Sequence, residues 1–295
     1  MASLKEIRTR IASIRSTRQI TSAMKMVSAS KLRKVQTHIL HLRRYSVILK
    51  KITSEVLEQI PPSRQNVYAK TREQGEVLVV SIGSNKGLCG TYNTFVIKHT
   101  IKEIKKIVHQ GEQARLMVVG RKPASFFEKK GYELVQADHE MVDKITYDTA
   151  SAFASHLMGL FLKENFSRIV LVYNRFKNAV VHELTTEQLL PLPENENREP
   201  AEQDDADDDL AVILEPTAEE VSEAMIRRFI YYNTFRILLD AAASENGSRM
   251  IAMHKATDNA DEMLKTLTLS YNKARQAAVT RELLDIVGGA GYGSQ

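Results

Sequence analysis

Along the first 60 positions apolar side chains recur every three or four residues. Leu4, Ile7, Ile11 and Ile14 make one stripe, and Val35, Ile39, Leu42, Leu49, Ile52 and Val56 make another. That period lays a stripe on one face of a helix. Residues 1–60 contain no glycine or proline, and Pro61-Pro62 follow, so the spacing predicts one helix over 1–60. Between the stripes the pattern thins. RSTRQITSAMKMVSASKLRK is small, polar and basic, with Ile20, Met24 and Val27 as its apolar marks. A surface made for close approach and a polar partner fits this stretch better than a fully buried face.

The other end of the chain repeats the theme. Residues 217–287 hold one glycine and no proline. Met250, Met253, Thr257, Ala260, Leu264, Leu267, Tyr271, Ala274 and Ala278 keep a 3-4-3-4 spacing, the seam of a coiled coil, and its small members admit a close partner. Thr217 precedes Ala218-Glu219-Glu220 and predicts a helix start; Gly288-Gly289 predict its end. Helices this long would run roughly 90 and 105 Å, against about 50 Å for a round domain of this length. At least one must project, and the two pair most easily with each other.

The period changes between them. EVLVVSIG (76–83), RLMVVG (115–120) and RIVLVYNRF (168–176) read as strands, and VVHELTTEQLLPL (180–192) adds another. Near-continuous apolar runs mark strands covered on both faces. Helix-like stretches lie at 91–110, 122–130 and 146–166. The fold expected is therefore α/β: a Rossmann-like domain over 75–192 with a mostly parallel sheet, plus a long coiled coil of helices 1–60 and 217–290.

Charge sharpens the picture. The net charge is +5, yet residues 1–51 carry 13 Lys/Arg against Glu6 alone. Residues 194–209 (ENENREPAEQDDADDD) carry nine acids and one arginine, with no apolar period, and read as a disordered surface loop. A helix so basic calls for an acidic partner: nucleic acid, a lipid surface or an acidic protein face. No apolar run spans a membrane, and MASLKEIRTR is no signal sequence. One cysteine, Cys89, allows no internal disulfide.

Candidate chemistry is sparse. The loop from Gly83 to Thr91 follows a strand and precedes a helix, where α/β folds cradle phosphate. Its spacing fails both tests. Lys86 precedes Gly87 instead of following the last glycine, and Asn85 stands where GxGxxG needs glycine. A tight turn is the better reading, with Cys89 as a packing residue. A nucleotide-dependent enzyme built on this loop is one alternative. A basic coiled-coil protein for nucleic acid or anionic membranes is another, although no recognised DNA-binding motif is present. The methionines fit adaptable packing, and neither a metal cluster nor an EF-hand pattern occurs.

Three stretches together resemble the gamma subunit of the F-type ATP synthase: IRTRIASIRSTRQITSAMKMVSASKLRKVQ (7–36), SNKGLCG (84–90) and SENGSRMIAMHKATDNADEMLKTLTLSYNKARQAAVTRELLDIVGGA (244–290). LLPLP (189–193) fits as well. The resemblance implies a non-catalytic rotor shaft, without cofactor or metal, that couples proton flow to ATP chemistry on beta subunits. Its implied partners are a ring of alpha and beta subunits, the epsilon subunit and the membrane rotor ring, with no nucleic acid. It also implies contacts to the surrounding ring at Met24, Lys25, Met26, Lys31, Arg33, Lys34, Arg249, Met250, Met253, Lys255 and Asp258. Arg281, Leu283, Leu284, Ile286 and Val287 would form the bearing tip. The expected location is the cytoplasmic face of a bacterial inner membrane, held peripherally. The acidic stretch 194–209 is no part of the shared pattern, and the regulatory dithiol of chloroplast relatives is missing.

Overall fold

The computed structural model describes residues 4–58, 67–68, 70, 72, 75–163, 166–178, 181–192 and 217–292. Pro61-Pro62 and the acidic stretch 194–209 lie outside them. Helix α1 spans Leu4–Glu58 and helix α5 spans Ala218–Tyr292. Between them come β1 (Glu76–Ile82), α2 (Tyr92–His109), β2 (Ala114–Val119), α3 (Arg121–Lys129), β3 (Leu134–Asp138), α4 (Tyr147–Lys163), β4 (Phe166–Phe176) and β5 (His182–Leu190). The chain divides into two compact units, Met1–Ala29 with Arg249–Gln295, and Ser30–Ser248. The boundary cuts both terminal helices, so each helix serves both units.

The first unit is a pair of antiparallel helices. Lys25 meets His254, Thr21 meets Thr257 and Arg18 meets Asp261, so each step forward on α1 matches a step back on α5. The same register sets Ile14, Ile11 and Ile7 level with Leu264, Leu267 and Tyr271, and all six are half-buried. The α5 stripe read from the sequence is the inner face. Met253 and Ala260 are buried, and the other members from Met250 to Ala278 are half-buried.

The second unit holds a five-stranded sheet in the order β3-β2-β1-β4-β5. β1 pairs parallel with β2 and β4, β2 pairs parallel with β3, and β5 closes the edge antiparallel to β4. Alternation along β1 builds two cores. Leu78, Val80 and Ile82 join Phe153, Leu157 and Phe161 of α4 and Ile226, Ile230 and Ile237 of α5. Val77 and Val79 join Ile97 and Ile107 of α2 and Phe127 of α3 on the other face. Each such side chain contributes roughly 1.5–3 kcal/mol by leaving water. The sheet is thus covered on both faces, which is why its strands read as apolar runs. Leu32, Ile39, Leu49 and Val56 bury the inner face of α1 in this unit. The Tyr45 ring lies 4.5 Å from that of Tyr232 at a tilt of 47°, and the Tyr232 ring lies 4.8 Å from Tyr147 of α4.

Three expectations need correction. Strand β3 (LVQAD) has no counterpart in the sequence reading. It is short, lies at the sheet edge and is only partly buried, so it lacks the apolar run that marked the others. Helix α5 does not stop at Gly288-Gly289 but continues to Tyr292. Glycine costs a helix only about 1 kcal/mol against alanine and ends it only where a left-handed cap forms. The helical stretch expected over 146–166 stops at Lys163, because Phe166 already begins β4. The start of α5 agrees with its capping signal: Glu220 N donates to Thr217 Oγ1 at 3.3 Å.

Candidate functional site

The thin middle of α1 is not an interruption of the inner face. Ile20 (57% exposed), Met26 (67%) and Val27 (57%) point outward. Thr21 (8%) and Ser28 (3%) take the inner positions, seven residues apart and seven beyond Ile14. The heptad survives with hydroxyls where leucines would stand. Each hydroxyl is satisfied locally, as burial requires. Thr257 donates to Thr21 Oγ1 (2.9 Å), and Thr21 donates to the Arg18 carbonyl (3.0 Å). Ser28 donates to the Met24 carbonyl (2.8 Å). A pattern of apolar residues alone marks this stretch by Ile20, Met24 and Val27, of which Ile20 and Val27 face outward and Met24 is half-buried.

Polar contacts flank this seam. Arg18 and Asp261 form an ion pair with both side chains over 40% exposed, worth about 0–1 kcal/mol in water. His254 Nδ1 lies 3.5 Å from Lys25 Nζ and 3.4 Å from Asp258 Oδ2. Around Thr21 and Ser28 the helices of this unit are therefore joined by small side chains and exposed charges, between the larger apolar pairs on either side.

The residues that the resemblance singled out fall into distinct places. Lys25 and Asp258 come together around His254. Met24 and Met250 are half-buried, whereas Met26 and Lys255 are exposed. Arg249 (9%) and Met253 (4%) are buried within the chain itself. Lys31, Arg33 and Lys34 are exposed in the second unit, on the part of α1 that follows Ala29. Arg281, Leu283, Leu284, Ile286 and Val287 are exposed, with Leu284, Ile286 and Val287 at 66–69%. Leu283, Leu284, Ile286 and Val287 thus leave apolar surface open toward the end of α5.

A second polar group, missed in the sequence, fastens α5 to the sheet. Arg236 of α5 reaches Glu187 of β5 at 2.5 Å, with only 12% of its side chain exposed. It also donates to Asn233 Oδ1 (2.7 Å), Tyr173 Oη (3.3 Å) and Asp240 Oδ2 (3.4 Å), and the Asp240 side chain is fully buried. Tyr173 Oη and Asn233 Nδ2 donate to the two Glu187 oxygens at 2.8 and 3.0 Å. Burial opposes the charge on Glu187, yet Arg236 and these donors outweigh it and hold the carboxyl below its ordinary range. Burial drives the Tyr173 phenol well upward, so it remains a donor. Burial likewise opposes the Arg236 charge, and Glu187 with Tyr173 more than restores it. The signal in the sequence was a polar trio at i, i+3 and i+7 (Asn233, Arg236, Asp240), the last two set in the otherwise apolar run FRILLDAAA.

The Gly83–Thr91 loop is a packed turn. Ser84 N donates to Asn93 Oδ1 (3.0 Å), Ser84 Oγ to the Lys86 carbonyl (2.8 Å), and Asn93 Nδ2 to Cys89 Sγ (3.2 Å). Asn85 Nδ2 donates to the His139 carbonyl (2.6 Å), while its Oδ1 accepts from Arg121 N (3.0 Å). Ser84 and Asn85 thus turn their polar groups inward onto the protein. Gly120, at φ +104, brings its chain so near that a Cβ would lie 2.9 Å from the Gly83 carbonyl. Cys89 is buried at 1% exposure. Among the described residues no helix is long and apolar enough to cross a membrane.

Known proteins share this arrangement. A family model described as ATP synthase matches residues 3–291, which places the chain among the subunits of that machine. It is 44% identical to the ATP synthase gamma chain of Christiangramia forsetii over 290 residues, and 41% identical to that of Flavobacterium psychrophilum over 292 residues; each alignment covers 98% of both chains. The chain belongs to the ATP synthase gamma chain family. Its fold matches a chain of the Euglena gracilis mitochondrial ATP synthase (OSCP, F1 and c-ring) with TM-score 0.63, 17% identity, and coverage of 98% and 94%. A chain from the central stalk and c-ring of the Tetrahymena thermophila enzyme matches with TM-score 0.58 and 23% identity, covering 80% of this chain and 99% of that one.

Proposed function

We propose that the chain is the central rotor shaft of a bacterial ATP synthase, turning inside a ring of alpha and beta subunits and joined below to epsilon and the membrane rotor ring. The observation that carries this reading is two uninterrupted helices, 55 and 75 residues long, whose segments in the first unit are held antiparallel by a seam of apolar, small and hydroxyl side chains. A shaft must be stiff along its length and must hold its sleeve weakly at every angle. Continuous helices supply the first property. Exposed lysines and arginines, whose single contacts are worth about 0–1 kcal/mol, supply the second.

In this reading the chain holds no active site; ATP chemistry belongs to the beta subunits, and the chain stays peripheral at the cytoplasmic face of the membrane. Met26, Lys31, Arg33, Lys34, Lys255 and Asp258 meet the beta subunits and their neighbours directly. Met24, Lys25 and Met250 do so at their exposed edges. Arg249 and Met253 act from within, by holding α5 where their neighbours meet the ring. Arg281, Leu283, Leu284, Ile286 and Val287 run in the upper bearing. The test is a Met26→Cys variant in the assembled complex, cross-linked reversibly to a cysteine in the beta subunit. Turnover should stop on oxidation and return on reduction. Unchanged turnover in fully cross-linked complex contradicts the proposal, as does ATP hydrolysis by the purified chain alone.

A further inference from the structure

Charge in the second unit is unevenly compensated. Arg168 pairs with Glu112 at 2.5 Å and Arg115 with Glu76 at 3.7 Å, so the arginines beside the strand starts meet carboxylates. The helical layer formed by α2 and α3 is different. Residues 92–130 of these helices and the cap of α3 place Lys98, Lys102, Lys105, Lys106, Arg121, Lys122, Lys129 and Lys130 on it, against Glu103 and Glu128. All eight cations are exposed, and among the described residues none has a carboxylate within ion-pair distance. Lys98, Lys102, Lys105 and His109 follow one another by three or four residues, so they stand in one outward row on α2. Val108, 56% exposed, sits in the last turn among them. Helix dipoles account for a cation or two in a last turn, and they explain Lys106 and Lys129. They do not explain Lys98, Lys102 or Lys122, none of which lies in the last turn of its helix.

We propose that the α2–α3 layer is an electrostatic contact surface for anionic phospholipid headgroups. Clusters of four to eight lysines on a helix attract such a surface additively, within about one Debye length. Seven of the eight cations are lysines, which act as hydrated point charges; a folded acidic partner is more often gripped by bidentate arginine. A lipid surface is fluid and unpatterned, so it attracts a turning body without fixing its angle. The inference rests on the rotor reading only for the nearness of a membrane, since the surface itself is a property of the chain.

Sedimentation of the purified full-length chain with vesicles tests it. Phosphatidylcholine vesicles containing phosphatidylglycerol should bind the chain at about 50 mM salt, weakly at about 200 mM, and pure phosphatidylcholine should not. The combined variant Lys98→Gln, Lys102→Gln, Lys105→Gln, Lys106→Gln should bind the anionic vesicles about tenfold or more weakly. A matched variant of α1 (Lys31→Gln, Arg33→Gln, Lys34→Gln) should keep most of the binding. Absence of binding at low salt overturns the proposal. So does loss in the α1 variant alone, or capture of the chain by an acidic protein such as polyglutamate with none by vesicles. The α2 variant should still assemble with alpha and beta subunits; failure of the unaltered chain to assemble would count against the rotor reading and leave the vesicle result standing.

Discussion

Arg236 is the side chain whose removal should most loosen the joint between helix α5 and the sheet. In Arg236→Met the aliphatic stem is kept and the guanidinium is lost, leaving the Glu187 carboxylate and the fully buried Asp240 without their common cation. Breaking a buried pair from one side costs about 3–5 kcal/mol. Glu187 keeps 29% of its side-chain exposure and retains its bonds to Tyr173 and Asn233, which sets the expectation at the lower end, about 3 kcal/mol. Because the chain has two compact units, a local readout is better than a global unfolding curve. Amide hydrogen exchange of 182–190 in β5 should accelerate about a hundredfold, the equivalent of that energy. Adding Glu187→Leu should recover part of the loss, since an apolar pair in such a site is often as stable as the ionic one. A change below about threefold in Arg236→Met, or strict additivity in the double variant, would refute the reasoning. The same pair sets an acid limit. Its carboxyl titrates lower in the folded chain than in the unfolded one, so its stabilisation is complete above about pH 4.3 and is lost as pH falls below.

Three further outcomes follow from single sites. Arg18→Gln should change the stability of the helix pair by less than about 1 kcal/mol, and the difference should vanish in about 0.5 M salt; a larger, salt-insensitive loss in thermal melts contradicts the exposed-pair assignment. Gly120→Ala combines φ +104 with a Cβ pressed against the Gly83 backbone and should cost about 2 kcal/mol or more; an unchanged melting temperature would remove the turn argument. His99 is lowered by burial, with Lys102 adding to the effect and Glu103 opposing it. The unfolded chain therefore takes up its proton first as pH falls, and stability should decline below about pH 6.5, a slope that His99→Gln should flatten.

Much of this architecture is legible in the sequence because it is periodic. The α5 stripe from Met250 to Ala278 is the observed inner face, and β1 and β2 appear as runs because helices cover both sides of the sheet. What escaped detection is aperiodic or polar. Thr21 and Ser28 occupy seam positions that a hydrophobic count passes over. β3 draws its identity from pairing with β2, not from its own residues. The partnership of Arg236 with Glu187 and Tyr173 joins residues 49 and 63 positions apart, which only the fold brings together. The contact residues came from resemblance, and burial then separates them: Arg249 and Met253 face inward, while Met26, Lys31, Leu283, Leu284, Ile286 and Val287 face out.

The central claim is that this chain turns. Gln110 is exposed at the end of α2, and Cys89 is buried, so Gln110→Cys supplies a single accessible thiol for a bead or fluorophore. In a complex fixed to glass through its beta subunits, ATP should drive steady rotation of that probe in one direction. A complex that hydrolyses ATP at its full rate while the probe stands still would contradict the account.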